Sequence, residues 1–185
     1  AYTEATAWQY RFFVPHDVNG MIQLFGGKEE FVAALDDIFN TDAEIHGNLV
    51  DITGLIGQYV HGNEPSHHIA YLYNYVGEPW KTQKMSRRLL NEMYHPTPEG
   101  IIGNEDCGQM SAWYILSSMG LYSVCPGSNE YVLTTPLFEK VVVHLANGRT
   151  LTILANDPQK NIYITKVELN GKQIDTNFIT YDCLM

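Results

Sequence analysis

A single acidic residue stands among aromatic side chains near the start of the chain. Glu4 precedes Trp8 and Tyr10, and a Val-Pro-His-Asp run containing His16 follows. A carboxyl group that aromatic rings shield from water has a raised pKa, which suits a general acid. The alternative is a solvated Glu4 that precedes a helix, with Trp8 in the core. The residues by themselves leave both interpretations open.

Histidine, asparagine and glutamate are concentrated in a second stretch, residues 61–68. Pro65 suits the first position of a helix, which would place Asn63 and Glu64 at the helix N-terminus. Their side-chain oxygens, with backbone carbonyls, are the ligands that Ca²⁺ prefers, whereas Zn²⁺ would select the nitrogens of the neighbouring histidines. Helix capping alone would also account for Asn63 or Glu64. The stretch therefore predicts either a cation site or a capped helix.

A third stretch places three polar residues between glycines. Asn104, Glu105 and Asp106 lie between Gly103 and Gly108, directly before an amphipathic helical pattern. Acidic residues near a helix N-terminus are favoured by the helix dipole and need no catalytic explanation. Three consecutive polar residues exceed what a cap requires, however, and glycine permits the unusual backbone that binding sites use. We therefore favour a functional loop.

Two Glu-x-x-His spacings, Glu64 to His67 and Glu92 to His95, are typical of half of a dinuclear iron site in a helical bundle. That architecture needs two further glutamates on neighbouring helices, and Pro65 takes Glu64 out of regular helix. A dinuclear iron protein is thus an alternative that the spacing permits. The chain contains no GxGxxG, P-loop, GxSxG or EF-hand signature.

The elements that must position these residues follow from the hydrophobic pattern. Apolar residues recur at three- and four-residue spacing in five segments, which predicts helices joined by glycine-rich loops. These segments are residues 17–25, 28–40, 66–76, 79–94 and 109–121.

Beyond Cys125 the pattern alternates and is rich in β-branched residues, with Asn-Gly dipeptides that suit hairpin turns. The predicted strands are 130–135, 140–145, 150–155, 162–169 and 172–175. We therefore predict an α+β chain with a helical part, residues 1–125, and an antiparallel β part, residues 126–185.

Composition narrows the class of protein. The 185 residues include 21 acidic and 11 basic side chains, a formal net charge of −10 that argues against a nucleic-acid partner. Residues 1–125 hold 15 of the acidic and 6 of the basic residues, so most of the charge lies in the helical part. No apolar run approaches the roughly 20 residues that a membrane-spanning helix needs. Three widely spaced cysteines predict neither a disulfide framework nor a metal knuckle.

Taken together, the stretches resemble the signature blocks of glycoside hydrolase family 92, the calcium-dependent exo-α-mannosidases. The blocks occur in the family's order, as AWQY at 7–10, VPHDV at 14–18, GNEPSHHIAYLY at 62–73 and GNEDCGQMSAWY at 103–114. The tail is also similar, with PLFEK at 136–140. Several long blocks in order are far more specific than any single motif.

The resemblance implies catalytic roles for individual residues. Glu4 would be the general acid, and Asp106 the general base that activates water, with Glu105 or Asn104 assisting. Because the family inverts the anomeric configuration, the acid and the base should lie on opposite sides of the sugar, roughly 6.5–9.5 Å apart.

The resemblance also implies ligand contacts. Asn63 and Glu64 would bind Ca²⁺, which in the family contacts the O2 and O3 hydroxyls of mannose. Members that cleave α1,2 linkages carry a His-Glu pair shortly before the Asn-Glu-Pro block, approximately where this chain has Gln58-Tyr59, so linkage preference stays open. The side chains expected to line the sugar site are Trp8, Gln9, His16, Gln58, Tyr59, His61 and Asn104.

The fold implied by the resemblance is a portion of a helical (α/α)6 toroid followed by strands of a β-sandwich. The chain would then be the C-terminal part of a longer protein that is periplasmic, cell-surface or secreted in a bacterium. Its partners would be the missing N-terminal part and α-mannoside oligosaccharides from mannans or N-glycans. A severed barrel would expose an apolar face, which favours association with further copies. The alternative is a non-catalytic carbohydrate-binding or interaction module.

Overall fold

The computed structural model describes residues 2–42 and 52–185, with helices in the first part and short strands in the second. The helices are α1 (Ala7–Tyr10), α2 (Val18–Leu24), α3 (Lys28–Asn40), α4 (Pro79–Glu92), α5 (Gln109–Met119) and α6 (Tyr181–Leu184), with 3₁₀ helices at Glu64–Ser66 and Ile69–Val76. The strands are β1 (Leu55–Ile56), β2 (Tyr59–Val60), β3 (Leu121–Tyr122), β4 (Glu130–Leu133), β5 (Lys140–His144), β6 (Thr150–Leu154), β7 (Val167–Leu169), β8 (Lys172–Ile174) and β9 (Phe178–Thr180). None of the helices in these ranges is both long and apolar enough to cross a lipid bilayer.

In the first three helices, local residues determine where a helix begins and which face it buries. Thr6 and Gln9 form a capping box around the start of α1, and the Asp17 side chain accepts a hydrogen bond from the Gly20 backbone at the start of α2. Helix α3 buries Phe31, Leu35 and the Ile38–Phe39 pair, which share one face at helical spacing. The predicted helices 17–25 and 28–40 are confirmed, apart from the terminal residues of the first.

The predicted helix 66–76 is instead a pair of 3₁₀ helices. Pro65 occupies the first turn, and Ile69–Val76 buries seven of its eight residues. A segment that is apolar on all sides cannot keep one face in water, and this one packs against both α3 and α4. Gly77, with a φ of 84°, then ends it. The spacing indicated helix without distinguishing its type.

The strands form four small antiparallel sheets among the described residues rather than one. Strands β3, β4 and β9 form a three-stranded sheet, and β1–β2, β5–β6 and β7–β8 are hairpins. The predicted strand 162–169 contracts to β7, and β1, β2, β3, β9 and α6 were not predicted. Because β3 lies before residue 125 and pairs with β4 beyond it, one sheet crosses the change in composition.

Buried polar side chains join the β part to the helical part. The Asn74 amide donates to the carbonyl of Leu133 at 3.1 Å, and Gln83 on α4 accepts the backbone N–H of Ile164 at 3.0 Å. The Arg87 guanidinium, 7% exposed, donates to two backbone carbonyls of the β part, at 2.8 Å each. Most buried donors in folded proteins are paired, and together these bonds fix how the strands lie on the helical part.

Gly77 and Gly120 provide a matched test of close packing. Both end helices with similar φ values, 84° and 87°, but a Cβ at Gly120 would lie 2.7 Å from the carbonyl oxygen of Thr134, whereas one at Gly77 would meet nothing within 4 Å. We expect Gly77→Ala to lower the free energy of unfolding by about 1–2 kcal/mol, the cost of left-handed backbone. Gly120→Ala should cost about 2 kcal/mol more, because the close contact between Gly120 and the Thr134 backbone must open. Urea unfolding measures both, and equal losses would contradict this packing.

Candidate functional site

Residues 61–68, which we call the central segment, run from the end of β2 through the Glu64–Ser66 turn. Five of its polar side chains are buried: His61, Asn63, Ser66, His67 and His68. A buried polar atom without a partner is costly, so each must find one elsewhere in the chain. Several of these partners belong to, or lie next to, the other stretches that the sequence singled out.

The first partner is the residue expected to be the general acid. The Asn63 amide donates to the backbone carbonyl of Glu4, 59 positions earlier in the chain. Glu4 has a φ of 52°, in the left-handed region that non-glycine residues seldom occupy, and its side chain is exposed. Strained backbone of this kind persists only where surrounding contacts hold it. Asn63 is one such contact.

Residues 103–108, which we call the acidic loop, lie against the central segment. A Cβ on Gly103 would be 3.0 Å from the backbone of Gly62, so only glycine permits this approach. Asp106 and Cys107 have left-handed φ values of 52° and 55°, and at these two residues the chain turns toward the start of α5. The Asp106 side chain is exposed. The loop and the central segment therefore form one surface.

The two acidic side chains of the loop have different surroundings. Glu105 accepts the backbone N–H of Ser111 at 3.2 Å, in the first turn of α5. Hydrogen bonds from the Ser111 hydroxyl and backbone lower the pKa of Glu105, so it caps the helix as a carboxylate. Both side chains are exposed, but among the described residues the Asp106 carboxylate accepts no such bond from α5, which leaves it the better placed of the two to accept a proton from water.

His67 joins the two parts of the site. Its Nε2 donates to the carbonyl of His61 at 2.9 Å, which leaves Nδ1 to accept the side-chain amide of Gln109 at 3.1 Å. Burial lowers the pKa of His67 to about 4, and the nearby Asp106 opposes that shift. The ring is therefore neutral at neutral pH, with its proton on Nε2.

His61 lies in an aromatic cluster behind this surface. The Tyr94 hydroxyl donates to the Met110 carbonyl at 3.2 Å and so accepts from His61 Nε2 at 2.8 Å, while the Tyr59 hydroxyl donates to Nδ1 at 2.9 Å. The edge of Trp113 packs on the imidazole, with the ring centroids 4.4 Å apart. Burial lowers the pKa of His61 and raises that of Tyr59.

The expected sugar-binding side chains occupy two different environments. Tyr59 and His61 are fully buried, and the Gln9 amide, itself buried, donates to the backbone carbonyl of Gln58. Their placement is that of a wall behind the site, because at most 6% of each residue is exposed. Direct contact between these four residues and a sugar stays a prediction.

The other expected contacts are accessible. Trp8 is half-buried, with the Arg11 guanidinium 4.5 Å from its ring, and Asn104 and His16 are exposed. Asn104 belongs to the acidic loop and Trp8 to α1, next to Glu4. In the ranges that the structure describes, no hydrogen bond joins His16 to the central segment.

Two residues that hold the site together were not singled out from the sequence. Gln109 lies inside a recognised block, yet its amide contact with His67 is visible only in the fold. Tyr94 had no signal beyond its place at the end of a predicted helix. The position of Gln109, directly after Gly108 at the start of α5, is the one feature that would have marked it.

Comparisons with known proteins agree on one family. The model of the glycosyl hydrolase family 92 catalytic domain matches residues 1–185. A curated protein of Arthroderma benhamiae, described as an uncharacterized secreted glycosidase, is 33% identical over 183 residues, which is 97% of this chain.

Solved structures show the same similarity. A family 92 α-mannosidase of Bacteroides thetaiotaomicron, in complex with mannoimidazole, matches 97% of the chain with a TM-score of 0.90 and 43% identity. A family 92 inverting mannosidase of the same species matches 99% with a TM-score of 0.84 and 39% identity. The chain spans 24% and 26% of these two proteins and 22% of the curated relative, about a quarter of their length. Mixed helices and small antiparallel sheets are thus the arrangement found in this family.

The neutral state of His68 predicts how stability depends on pH. Its Nε2 donates to the Phe12 carbonyl at 2.7 Å, and burial lowers its pKa to about 4. An unfolded histidine has a pKa of about 6.5, so the unfolded chain binds more protons between these values and stability falls as the pH falls. We expect His68 to account for about 2 kcal/mol of stability lost between pH 7 and pH 5.

The measurement is urea unfolding at the two pH values. His68→Gln should reduce the loss by that amount, because glutamine keeps a donor near Phe12 without titrating. His144→Gln, at an exposed position on β5, should retain the pH dependence of the unmodified protein. Identical pH dependence in both variants would show that His68 is not buried as a neutral ring.

Proposed function

The chain belongs to glycosyl hydrolase family 92, and on that premise we propose that it is the C-terminal part of a calcium-dependent, inverting exo-α-mannosidase. The observation that carries the proposal is that the central segment contacts both Glu4, through Asn63, and the acidic loop, through Gly62. The 43% identity to an α-mannosidase and 39% to an inverting mannosidase support it.

Hydrolysis would need two carboxyl groups in opposite protonation states. Glu4, as the carboxylic acid, gives its proton to the glycosidic oxygen as the bond from that oxygen to the anomeric carbon breaks. Asp106, as the carboxylate, takes a proton from a water whose oxygen attacks the anomeric carbon from the opposite face. The two side chains belong to separate stretches that both contact the central segment, and inversion requires that a sugar and a water molecule lie between them.

The residues proposed to hold Ca²⁺ fit it by their donor chemistry. The Asn63 amide donates through its nitrogen to Glu4, which leaves its oxygen available, and the Glu64 carboxylate is exposed. Both nitrogens of the nearby His67 are hydrogen-bonded, so a nitrogen-seeking ion such as Zn²⁺ is disfavoured. Ca²⁺ takes six to eight oxygens, so water, sugar hydroxyls and parts of the protein beyond this chain would complete the set. When bound, the ion would bind and orient vicinal hydroxyls of the mannose.

The remaining features of the proposal concern the whole protein. The helices would be part of an (α/α)6 toroid and the strands part of a β-sandwich, completed by residues outside this chain. Glycans with terminal α-mannose, in mannans or N-glycans, are the proposed substrates. A periplasmic, cell-surface or secreted location is proposed, and the A. benhamiae relative is described as secreted. Self-association is proposed only for the chain without its N-terminal partner.

Exposed aromatic rings favour a second candidate, a carbohydrate-binding module. Tyr2 stacks on Tyr10 with centroids 5.2 Å apart, Phe13 packs against Tyr10, and both outer rings are about half exposed. Aromatic faces of this kind line many ligand sites. Calorimetry with mannose discriminates the two functions, since binding without hydrolysis that survives Glu4→Gln would favour the module.

The roles of Glu4 and Asp106 predict different substrate dependence. Asp106→Asn should lower kcat/KM by about 10²–10⁴-fold on every α-mannoside, since water activation is always needed. Glu4→Gln should cost as much on mannobiose, but far less on dinitrophenyl α-mannoside, because dinitrophenolate leaves without protonation. Hydrolysis rates of the full-length protein measure both. Asp157→Asn is the matched control, since Asp157 also has left-handed backbone, with a φ of 44°, and lies in the β part. Unchanged activity in Glu4→Gln and Asp106→Asn would contradict these assignments.

The Ca²⁺ assignment predicts the effect of metal removal. EDTA should abolish hydrolysis and added Ca²⁺ should restore it, because the ion supplies contacts to the sugar that no side chain replaces. Glu64→Gln should raise the Ca²⁺ concentration for half-maximal activity by about tenfold or more, since one anionic ligand is lost. Glu78→Gln, at the start of α4, is the control and should leave that concentration unchanged. Full activity of the metal-free protein would refute the assignment.

A further inference from the structure

Asp106 can act as a base only if the acidic loop keeps its position against the central segment. We propose that Gln109 is a positioning residue, which holds this loop through a hydrogen bond to His67. The kinetic part of the inference rests on the proposed function, whereas the structural part does not.

Gln109 contacts both parts of the site. It is the first residue of α5, and its backbone N–H donates to the Asp106 carbonyl at 3.2 Å. Its side-chain amide donates to Nδ1 of His67 at 3.1 Å. One residue therefore bonds the loop through its backbone and the central segment through its side chain.

The contact accepts only a donor at this position. His67 Nε2 donates to the carbonyl of His61, and a carbonyl can only accept, so Nδ1 carries a lone pair. The backbone N–H of His67 in turn donates to the Glu64 carbonyl at 3.1 Å. Hydrogen bonds thus run from Asp106 through Gln109 and His67 to Glu64, which links the proposed base to the proposed metal residues.

The loop needs such a contact because its backbone is strained. Asp106 and Cys107 are consecutive non-glycine residues with left-handed φ, at a cost of roughly 1–2 kcal/mol each. The next residue, Gly108, is also left-handed, and a Cβ there would meet nothing within 4 Å. Packing around Gly108 therefore does not hold this end of the loop in place. The hydrogen bond from the side chain of the next residue, Gln109, does so.

Two variants remove the bond in different ways. Gln109→Met keeps the length of the side chain and removes the donor, whereas Gln109→Asn keeps an amide that is one methylene too short to reach His67. Gln83→Met is the matched control, because the helical Gln83 side chain also makes one hydrogen bond among the described residues, to the backbone of Ile164. The two bonds of Arg87 keep the β part on α4 when that bond is lost. All three are made in the full-length protein.

Kinetics and hydrogen exchange are measured on each variant. Both Gln109 variants should lower kcat on α-mannosides by about 10- to 100-fold, because a base displaced by about 1 Å loses this much. KM should stay within about twofold, since a positioning residue acts through the loop and not by binding the sugar. Deuterium uptake in a peptide covering 103–109 should be several-fold faster than in the unmodified protein. Gln83→Met should match the unmodified protein in kcat and in uptake by this peptide.

The two readouts separate failure of this inference from failure of the proposed function. If the unmodified protein hydrolyses α-mannosides but kcat is unchanged in both Gln109 variants, or falls equally in Gln83→Met, the positioning role is wrong. If the unmodified protein hydrolyses no α-mannoside, the proposed function fails, and exchange alone decides whether Gln109 holds the loop. Unchanged uptake over 103–109 overturns the inference in either case.

Discussion

The requirement that buried polar atoms be paired controls the arrangement around the central segment. Five of its eight residues have polar side chains that are buried, and the cost of leaving one unpaired, about 1–3 kcal/mol, is a large fraction of the stability of a typical domain. Four of them have partners far away in sequence: Glu4 for Asn63, Phe12 for His68, Gln109 for His67 and Tyr94 for His61. A fold that supplies these hydrogen bonds must bring the segments that contain the four partners against the central segment. The site is therefore a consequence of how the interior avoids unpaired polar groups.

Burial divides the polar residues into two groups with different chemistry. His61 and His67 are neutral because burial lowers their pKa values, so their hydrogen-bond directions are fixed at neutral pH and they can hold neighbours in place. The carboxylates proposed to act on substrate, Glu4 and Asp106, are exposed, on strained backbone that the buried groups support. Glu105 belongs with the supports, because it is committed to the α5 N-terminus. In the proposed mechanism, the positions of the exposed carboxylates thus depend on the buried neutral histidines.

The sequence predicts best what a local pattern determines. Helix α3 was predicted to its exact bounds, and α2, α4 and α5 within two residues, because each has an amphipathic or capped pattern. The two-residue strands β1, β2 and β3, and β9, carry no such pattern, since distant pairing defines them. The stretches that form the site could be recognised by composition. The burial of Tyr59 could not, because tyrosine suits both a sugar site and a core, and only the cluster around His61 decides between them.

Helix α5 connects the site to the β part. Helix α5 begins at Gln109, near the proposed base, and is capped at its C-terminus by Gly120. The Gly120 carbonyl accepts a hydrogen bond from the backbone N–H of Thr134 in the β part. The β part is in turn fixed on α4 by Arg87, which donates to two of its backbone carbonyls. Because a helix of 11 residues is a rigid element on this scale, displacement of the strands at one end would shift the acidic loop at the other. The composition thus changes near Cys125, from an acidic, histidine-rich part to a β part. The strands of the β part nevertheless remain in contact with the helices that hold the site.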